Sequence, residues 1–510
     1  MYILFVVIIG FLLRVFYLNK PEGLWNDEYV SWMIAATPFS EGFWSEVFKQ
    51  CHMPLYYLYL KLFGNVDIIL RLSSVIPGVF SIWVMYLVGK EHSSKVAKIT
   101  AIITSISSFL IYYSQEVRFY SLLFLFSALC LLFLIKAIKH PIKKNFIGYV
   151  ICSSLIVFTH TIGFVFVLLT TLYLISKIRL KKEIIVSFTL ILLASLLASF
   201  YIFSHVGTSQ WWGTFTYKNI VFMFTDFFSP ILTNNVNVPS EIFYKKEPLF
   251  IIYLIIPTII ALCSIFFAAI KNKNLRPLLL ISIATTIILA IAAILGKLVF
   301  ITKYNIEILP ILIYLFAIGI SLFKKNIGFI ILILWSVLQI SYLGNNNYPT
   351  KIARTEGNRI PAILLSNAKL TPKDKLIFTY YNYDRFIKYI DVSKINHYSI
   401  DKGMAHSFVS NNGNIPQEIY IFDRTFLNSK LDSLINTDNR TLILFLDSVS
   451  FFTDDLLEKY IKSQKQGIKI HELYIVMSVL KNEIYNYGKK HNLGVKSTKL
   501  GSWTLLEIGG

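Results

Sequence analysis

Long apolar runs separated by short basic clusters fill the first two thirds of the chain, whereas the last third is polar with scattered strand-like stretches. A bilayer-spanning helix needs about 20 apolar residues. About eleven runs approach or meet this length, at 2–18, 72–89, 96–112, 119–135, 145–159, 162–176, 184–203, 249–270, 277–295, 306–322 and 327–343; the fifth and sixth are the shortest. If each run crosses once, the basic clusters at 90–98, 136–144, 177–182, 271–276 and 324–325 all fall on one side. The positive-inside rule makes that side cytoplasmic. The alternation then places 20–71, 113–118, 160–161, 204–248, 296–305 and everything after 343 outside. The first run has no small-residue cleavage site and carries Arg14 in its far half, which reads as a retained signal anchor.

Two stretches of the first outer loop have helical patterning without the length to span. In 31–48 the apolar residues Trp32, Ala35, Ala36, Phe39, Phe43, Trp44 and Val47 recur at mixed helical spacing, and 54–64 opens with a proline suited to a first helical turn. Both predict helices lying in the membrane interface. From Gly344 an asparagine-rich linker leads to strand-like runs at 376–381, 418–423, 441–447, 472–479 and 503–508, with a capped helical run at 453–464. The pattern predicts a polytopic α-helical membrane domain over 1–343 and a soluble α/β domain over 344–510.

Composition narrows the function classes. The 510 residues are 55% hydrophobic and 15% charged, too apolar for a soluble protein. The net charge of +20 lies largely in the clusters between apolar runs, so membrane topology accounts for it and a nucleic-acid partner is discounted. Cys51, Cys130, Cys152 and Cys263 have neither disulfide nor zinc spacing and fix no redox compartment.

Ionisable residues at the mouths of membrane helices are costly and mark function. Asp27 and Glu28, in WNDEYVSW, are adjacent acids that cannot point the same way on a regular element. Asp27 is the candidate general base, with Glu28 as its support or a metal ligand. His52, in CHMPLYY, suits a metal, a phosphate oxygen or a pair with Asp27. Arg71, Arg118 and Lys303 stand at outer ends of spans, with Tyr120 and Tyr304 beside the last two. Each alone fits snorkelling to headgroups; together on the acid-bearing face they suit an anion, since guanidinium grips phosphate bidentately and lysine adds a point charge. Glu116 is placed to orient Arg118, pair with it or bind a metal, and His160 is a wall residue. The aromatic cluster at 211–217 suits interface anchoring better than sugar stacking. Glu28, His52 and Glu116 leave a divalent cation open, and no glycine-rich phosphate loop is present to hold a nucleotide.

At LWNDEYVSWMIA, HMPLYYLYLKLFG with IILRLSSVIPGVF, YSQEVRFYSLLFL and, more weakly, TKYNIEILPIL, the chain resembles the polyprenyl-phosphate-dependent glycosyltransferases of the membrane-embedded C type (GT-C). The likeness is to the bacterial family 39 branch related to protein O-mannosyltransferases and the lipid A aminoarabinose transferase. The resemblance covers roughly the first 180 residues well. It implies inverting transfer of a sugar from a polyprenyl-phosphate donor to an envelope acceptor at the outer face of the cytoplasmic membrane. Asp27 then resembles the base, and Arg71, Arg118, Lys303 and Tyr304 resemble the groups around the lipid phosphate. Where the family commonly has arginine before the tyrosine of the fourth motif, this chain has Lys303, which keeps the charge and loses the fork. A transporter or flippase of lipid-linked sugars is the rival class; it calls for polar groups near the midplane, whereas these cluster at one face.

Overall fold

In the computed structural model the described residues are 2–49, 53–178, 215–232, 250–295, 300–342, 359–378, 388–390, 396–399, 405–410, 417–422, 431–432, 440–446, 469–470, 484–500 and 503–509, with single positions 189, 193, 357 and 435. They divide into two compact units, Met1–Leu18 with Val30–Ile352 and Asn19–Tyr29 with Ala353–Gly510. The short segment 19–29 thus belongs with the C-terminal unit. His52, the runs at 453–464 and 472–479, and most of the run at 184–203 and of the 211–217 cluster lie outside the described residues.

The helices are α1 Tyr2–Val15, α2 Asn26–Ala36, α3 Phe43–Lys49, α4 Pro54–Leu60, α5 Asp67–Lys90, α6 Ser94–Ile106, α7 Ser108–Tyr113, α8 Tyr120–Lys139, α9 Lys143–Thr159, α10 Gly163–Lys177, α11 Tyr217–Phe228, α12 Phe250–Lys271, α13 Arg276–Ile294, α14 Leu309–Leu322, α15 Lys325–Ser341 and, in the second unit, α16 Arg359–Asn367. Among the described residues, five helical stretches are long and apolar enough to cross a membrane, and Tyr2–Val15, Gly163–Lys177 and Lys325–Ser341 are shorter apolar helices. The protein is a multi-pass membrane protein. Its lipid-facing character is visible in exposed Phe80 and Trp83 on α5, Ile259 and Phe266 on α12, Ile287 and Ile291 on α13 and Phe329 and Ile330 on α15. An apolar exterior of this kind suits hydrocarbon rather than water.

Two predicted elements came out differently. The run at 96–112 is not one helix: the chain breaks at Ser107, whose ψ of 116° leaves the helical region. A break frees the last carbonyls of the preceding helix, and inside a membrane each must find another donor. Arg14 supplies them, donating from Nη1 to the Ser105 carbonyl at 2.9 Å and from Nη2 to that of Thr104 at 3.0 Å. The Ser107 hydroxyl then caps α7 by accepting from the Leu110 N–H. The second difference is residues 26–30, expected in a polar loop but forming the start of α2.

Proline placement follows the same accounting. Pro77 inside α5 has no N–H for the carbonyl four residues earlier. That carbonyl, of Ser73, accepts instead from the Tyr59 hydroxyl at 3.0 Å, which ties α4 to α5. Close approach of α12 and α14 depends on Gly319, where a Cβ would overlap the Ser264 backbone.

The second unit carries a five-stranded sheet in the order β2-β1-β5-β8-β7 and a three-stranded sheet β3-β4-β6. The strands are β1 Lys375–Phe378, β2 Asn396–Ser399, β3 Ala405–Ser410, β4 Gln417–Phe422, β5 Thr441–Leu446, β6 Lys469–Ile470, β7 Val495–Leu500 and β8 Trp503–Ile508. β1 runs parallel to β2 and β5, and β8 is antiparallel to β5 and β7. Leu442, Ile443 and Leu444 are buried in succession, as a central strand covered on both faces requires. Leu364 and Leu365 of α16 pack on Leu376, Leu444, Trp503 and Leu505.

Candidate functional site

The site grows from the turn between α7 and α8, residues 114–119, which is buried throughout. Ser74 on α5 pins this turn: its hydroxyl donates to the Glu116 carbonyl and, at 3.2 Å, to the Arg118 carbonyl. Arg71 lies three residues before Ser74 and so shares that face of α5. It is 1% exposed and donates from Nη1 to the Leu18 carbonyl at 3.3 Å.

Arg118 is buried, donates from Nη1 to the Ser31 hydroxyl at 3.2 Å, and lies 5.2 Å from the Phe119 ring centroid and 5.9 Å from that of Tyr120. Lys303 enters from a 3-10 segment, Thr302–Ile308, that precedes α14. Its Nζ stands 5.4 Å from the Tyr120 centroid and 5.8 Å from that of Tyr304. The His160 ring is stacked between Phe119, at 4.5 Å, and Tyr304, at 5.2 Å. Arg118, Tyr120, His160, Lys303 and Tyr304, separated widely in sequence, therefore form one cluster with Phe119. Two cations share the ring of Tyr120, and ring quadrupoles favour a desolvated cation by about 2 kcal/mol or more. The Tyr120 hydroxyl is buried with no hydrogen-bond partner among the described residues. A guanidinium, an ammonium and a phenol brought together in a dry setting have the donor chemistry that suits a tetrahedral anion.

Asp27 and Glu28 occupy the first turn of α2, where negative charge complements the helix N-terminus. Glu28 is buried, and its Oε2 accepts from the Trp25 N–H at 3.2 Å, the reverse half of a capping box. Glu28 thereby shapes the helix start. Asp27 is half-buried and projects about 100° away around the helix. It shares a helical stripe with Ser31, four residues on. Among the described residues no group of three or more His, Cys, Asp or Glu side chains is arranged to hold a metal ion.

Several polar residues of this region were not singled out in the sequence. Asp226, buried in α11, accepts from the Thr302 hydroxyl at 2.9 Å, next to Lys303. Glu307 is 0% exposed, and neither carboxylate oxygen has a hydrogen-bond partner among the described residues. A lone acid in FMFTDFF and another in NIEILP are the signals that point to them, since an acid inside an apolar run is costly. Ser31 and Ser74 gave no signal.

Residues 54–207 match the sequence family described as dolichyl-phosphate-mannose-protein mannosyltransferase. No curated protein matches the chain by sequence. Among solved structures, ArnT from Cupriavidus metallidurans bound to undecaprenyl phosphate is similar at 10% identity, with a TM-score of 0.53 over 99% of this chain and 98% of that one. The oligosaccharyltransferase AglB from Archaeoglobus fulgidus, in complex with an inhibitory peptide and a dolichol-phosphate, is similar at 12% identity, with a TM-score of 0.50 over 99% of this chain and 74% of that one. The fold is that of the membrane-embedded C-type glycosyltransferases, and within it residues 54–207 match the dolichyl-phosphate-mannose-protein mannosyltransferase family.

Proposed function

We propose that the protein is an inverting glycosyltransferase that moves one sugar from a polyprenyl-phosphate donor to an envelope acceptor at the outer face of a bacterial cytoplasmic membrane, with the C-terminal domain outside. The observation that carries this reading is the convergence of Arg118 and Lys303 on the ring of Tyr120, whose buried hydroxyl is unbonded among the described residues. Support comes from the matched family and from neighbours of the same fold solved with undecaprenyl phosphate and dolichol-phosphate.

In this reading Arg71, Arg118 and Lys303 take the lipid phosphate, and Tyr120 or Tyr304 donates a hydrogen bond to one of its oxygens. His160, clamped between rings, holds Phe119 and Tyr304 apart and in place. The acceptor hydroxyl oxygen attacks the anomeric carbon from the face opposite the phosphate. As the new C–O bond forms, the Asp27 carboxylate takes the hydroxyl proton. The bond from the anomeric carbon to the phosphate oxygen breaks, and its electron pair leaves with the lipid phosphate, whose developing charge the cations stabilise. Single displacement inverts the anomeric centre.

General-base catalysis contributes about 10²–10⁴-fold, so Asp27→Asn should lose turnover on that scale while still binding undecaprenyl phosphate. The assay is sugar transfer from a synthetic undecaprenyl-phosphate sugar by the purified full-length protein. Near-normal turnover in Asp27→Asn would remove the proposed base. Movement of the donor across vesicles without formation of a new glycosidic bond would favour a transporter instead.

A further inference from the structure

The segment that leads into α2 is built against the C-terminal domain. The Arg359 N–H donates to the Glu22 carbonyl at 3.0 Å, and the Leu24 N–H donates to the Tyr389 hydroxyl at 2.9 Å. Between these bonds Gly23 adopts a φ of +77°, which other residues rarely tolerate, and a Cβ there would stand 2.8 Å from Arg359 Cβ and 2.9 Å from the Tyr389 hydroxyl. Gly357 lies so close to Glu22 that a Cβ would meet the Glu22 carbonyl oxygen at 2.5 Å. The Arg359 guanidinium sits over the Tyr389 ring, 5.4 Å from its centroid. Glu22 and Leu24 are buried in consequence.

This is closer packing than a connecting loop needs. Loops of solvated polar residues do not require two glycines for close approach, nor a tyrosine hydroxyl placed on a backbone N–H. The object held in this way is the start of a helix: the Trp25 N–H, one residue after Leu24, is taken by Glu28, and the Tyr29 N–H donates to the Trp25 carbonyl at 2.8 Å. Asp27 is three residues from the bond to Tyr389. Where the chain leaves Leu24 therefore sets the origin and phase of the first turn of α2, and with them the place of the Asp27 carboxylate.

We propose that the C-terminal domain is a positioning element of the transfer reaction, acting through Tyr389, and through Gly357 and Arg359 around Glu22, to fix the carboxylate of Asp27. This rests on the reading of Asp27 as base. Tyr389 and Arg359 are positioning residues and touch no reacting atom. A base displaced by about 1 Å costs on the order of 10²-fold in rate, so one lost hydrogen bond that loosens the helix start should cost about tenfold.

The test uses the full-length protein in nanodiscs and an undecaprenyl-phosphate hexose that the wild type consumes. Wild type, Tyr389→Phe, Gly357→Ala and Asp27→Asn are compared with water and with azide as acceptors. Azide forms its bond to the anomeric carbon without a proton to remove, so it bypasses the base. Tyr389→Phe keeps the ring under Arg359 and removes only the hydroxyl. The expected result is a fall in kcat of about tenfold with water for Tyr389→Phe, an unchanged donor KM, and a deficit that shrinks several-fold with azide. Gly357→Ala should show the same split. A loss of folded enzyme would depress both acceptors equally, and an equal deficit overturns the proposal, as does wild-type turnover in Tyr389→Phe. If Asp27→Asn loses turnover with water while Tyr389→Phe keeps it, the positioning role alone is wrong. If Asp27→Asn keeps it, the base assignment falls and the positioning role with it.

Discussion

Arg14 and Arg118 are both buried in the membrane unit, yet they are held in different ways. Arg14 donates from Nε to the Ser114 hydroxyl, from Nη1 to the Gly10 and Ser105 carbonyls and from Nη2 to the Thr104 carbonyl, all between 2.9 and 3.2 Å. Three of these acceptors are backbone oxygens, and two became available because the chain breaks at Ser107. Arg118 has the Ser31 hydroxyl on one nitrogen and the rings of Phe119 and Tyr120 beside its plane. Carbonyls fixed in helices cannot turn toward a ligand, whereas a hydroxyl can rotate. Burial of a cation therefore does not mark a binding site. The two arginines differ in the kind of described partner around them, helix carbonyls for Arg14 against a hydroxyl and ring faces for Arg118.

The largest expected effect lies on the structural side of this comparison. Arg14→Met should strand carbonyls of Thr104 and Ser105 without a donor, at about 1–3 kcal/mol each, and lower the stability of the membrane unit by about 3 kcal/mol or more. Thermal unfolding in detergent measures it, and donor affinity of the protein that remains folded should be unchanged. Arg118→Ala should behave in the opposite sense. Loss of a charge-assisted contact, at about 1.5–3 kcal/mol, should weaken binding of undecaprenyl phosphate about 10- to 100-fold, with a small change in unfolding temperature. Titration of the purified protein with undecaprenyl phosphate reads the affinity. Were Arg118→Ala the variant that fails to fold, and Arg14→Met the one that fails to bind, the distinction drawn from their acceptors would collapse.

Much of this was legible in the chain because hydrophobic length is a strong signal. The runs at 72–89, 119–135 and 249–270 correspond to α5, α8 and α12 with small shifts at the ends, and 376–381, 441–447 and 503–508 correspond to β1, β5 and β8. The meeting of Arg118, Tyr120, His160, Lys303 and Tyr304 was expected from topology, since each was assigned to the same face. What could not be read were features set by neighbours distant in sequence. The break at Ser107 sits in an apolar run with no proline, and only the donors of Arg14 make it affordable. The helix that starts at Asn26 looked like a loop because its first turn is polar, and a polar first turn is also what a capped helix start requires. Residues 19–29 carry no sign that they pack with the C-terminal unit, because a backbone N–H to Tyr389 and two closely approached glycines leave no pattern in composition. Asp226 was hidden by its place in a stretch expected to be an outer loop, which instead holds α11 behind a Thr216–Asn219 capping box.

A third arginine extends the comparison to the sheet domain and carries the smallest effect. Arg440 donates from Nε and Nη2 to both carboxylate oxygens of Asp374, at 3.2 and 2.7 Å, and from Nη1 to Glu507 at 3.3 Å. Here the acceptors are carboxylates, whereas the described acceptors of Arg14 are carbonyls and a hydroxyl. Burial pushes the Asp374 carboxyl up, but the hydrogen bond from Arg440, those from Thr371 and the Arg440 charge outweigh it and hold the carboxyl below the usual carboxylate range. A carboxyl depressed in the folded state binds more protons when unfolded, so its contribution is fully present above the unfolded value, about 3.9, and is lost as pH falls through the lower folded value. With Arg440 a third exposed, solvent screening limits that contribution to about 1 kcal/mol. Hydrogen exchange of β1 and β5 in the full-length protein, corrected for intrinsic rates, should show protection constant from neutral pH down to about 4 and decreasing below it. In Asp374→Asn that decrease should disappear, and protection at neutral pH should already be reduced. The backbone around Arg14 should show no such dependence in the same experiment, because none of its described acceptors takes up a proton. A pH-dependent loss of protection at Thr104 and Ser105 alongside that of β1 would show that the carbonyl-held arginine is not insulated from acid in the way its partners imply.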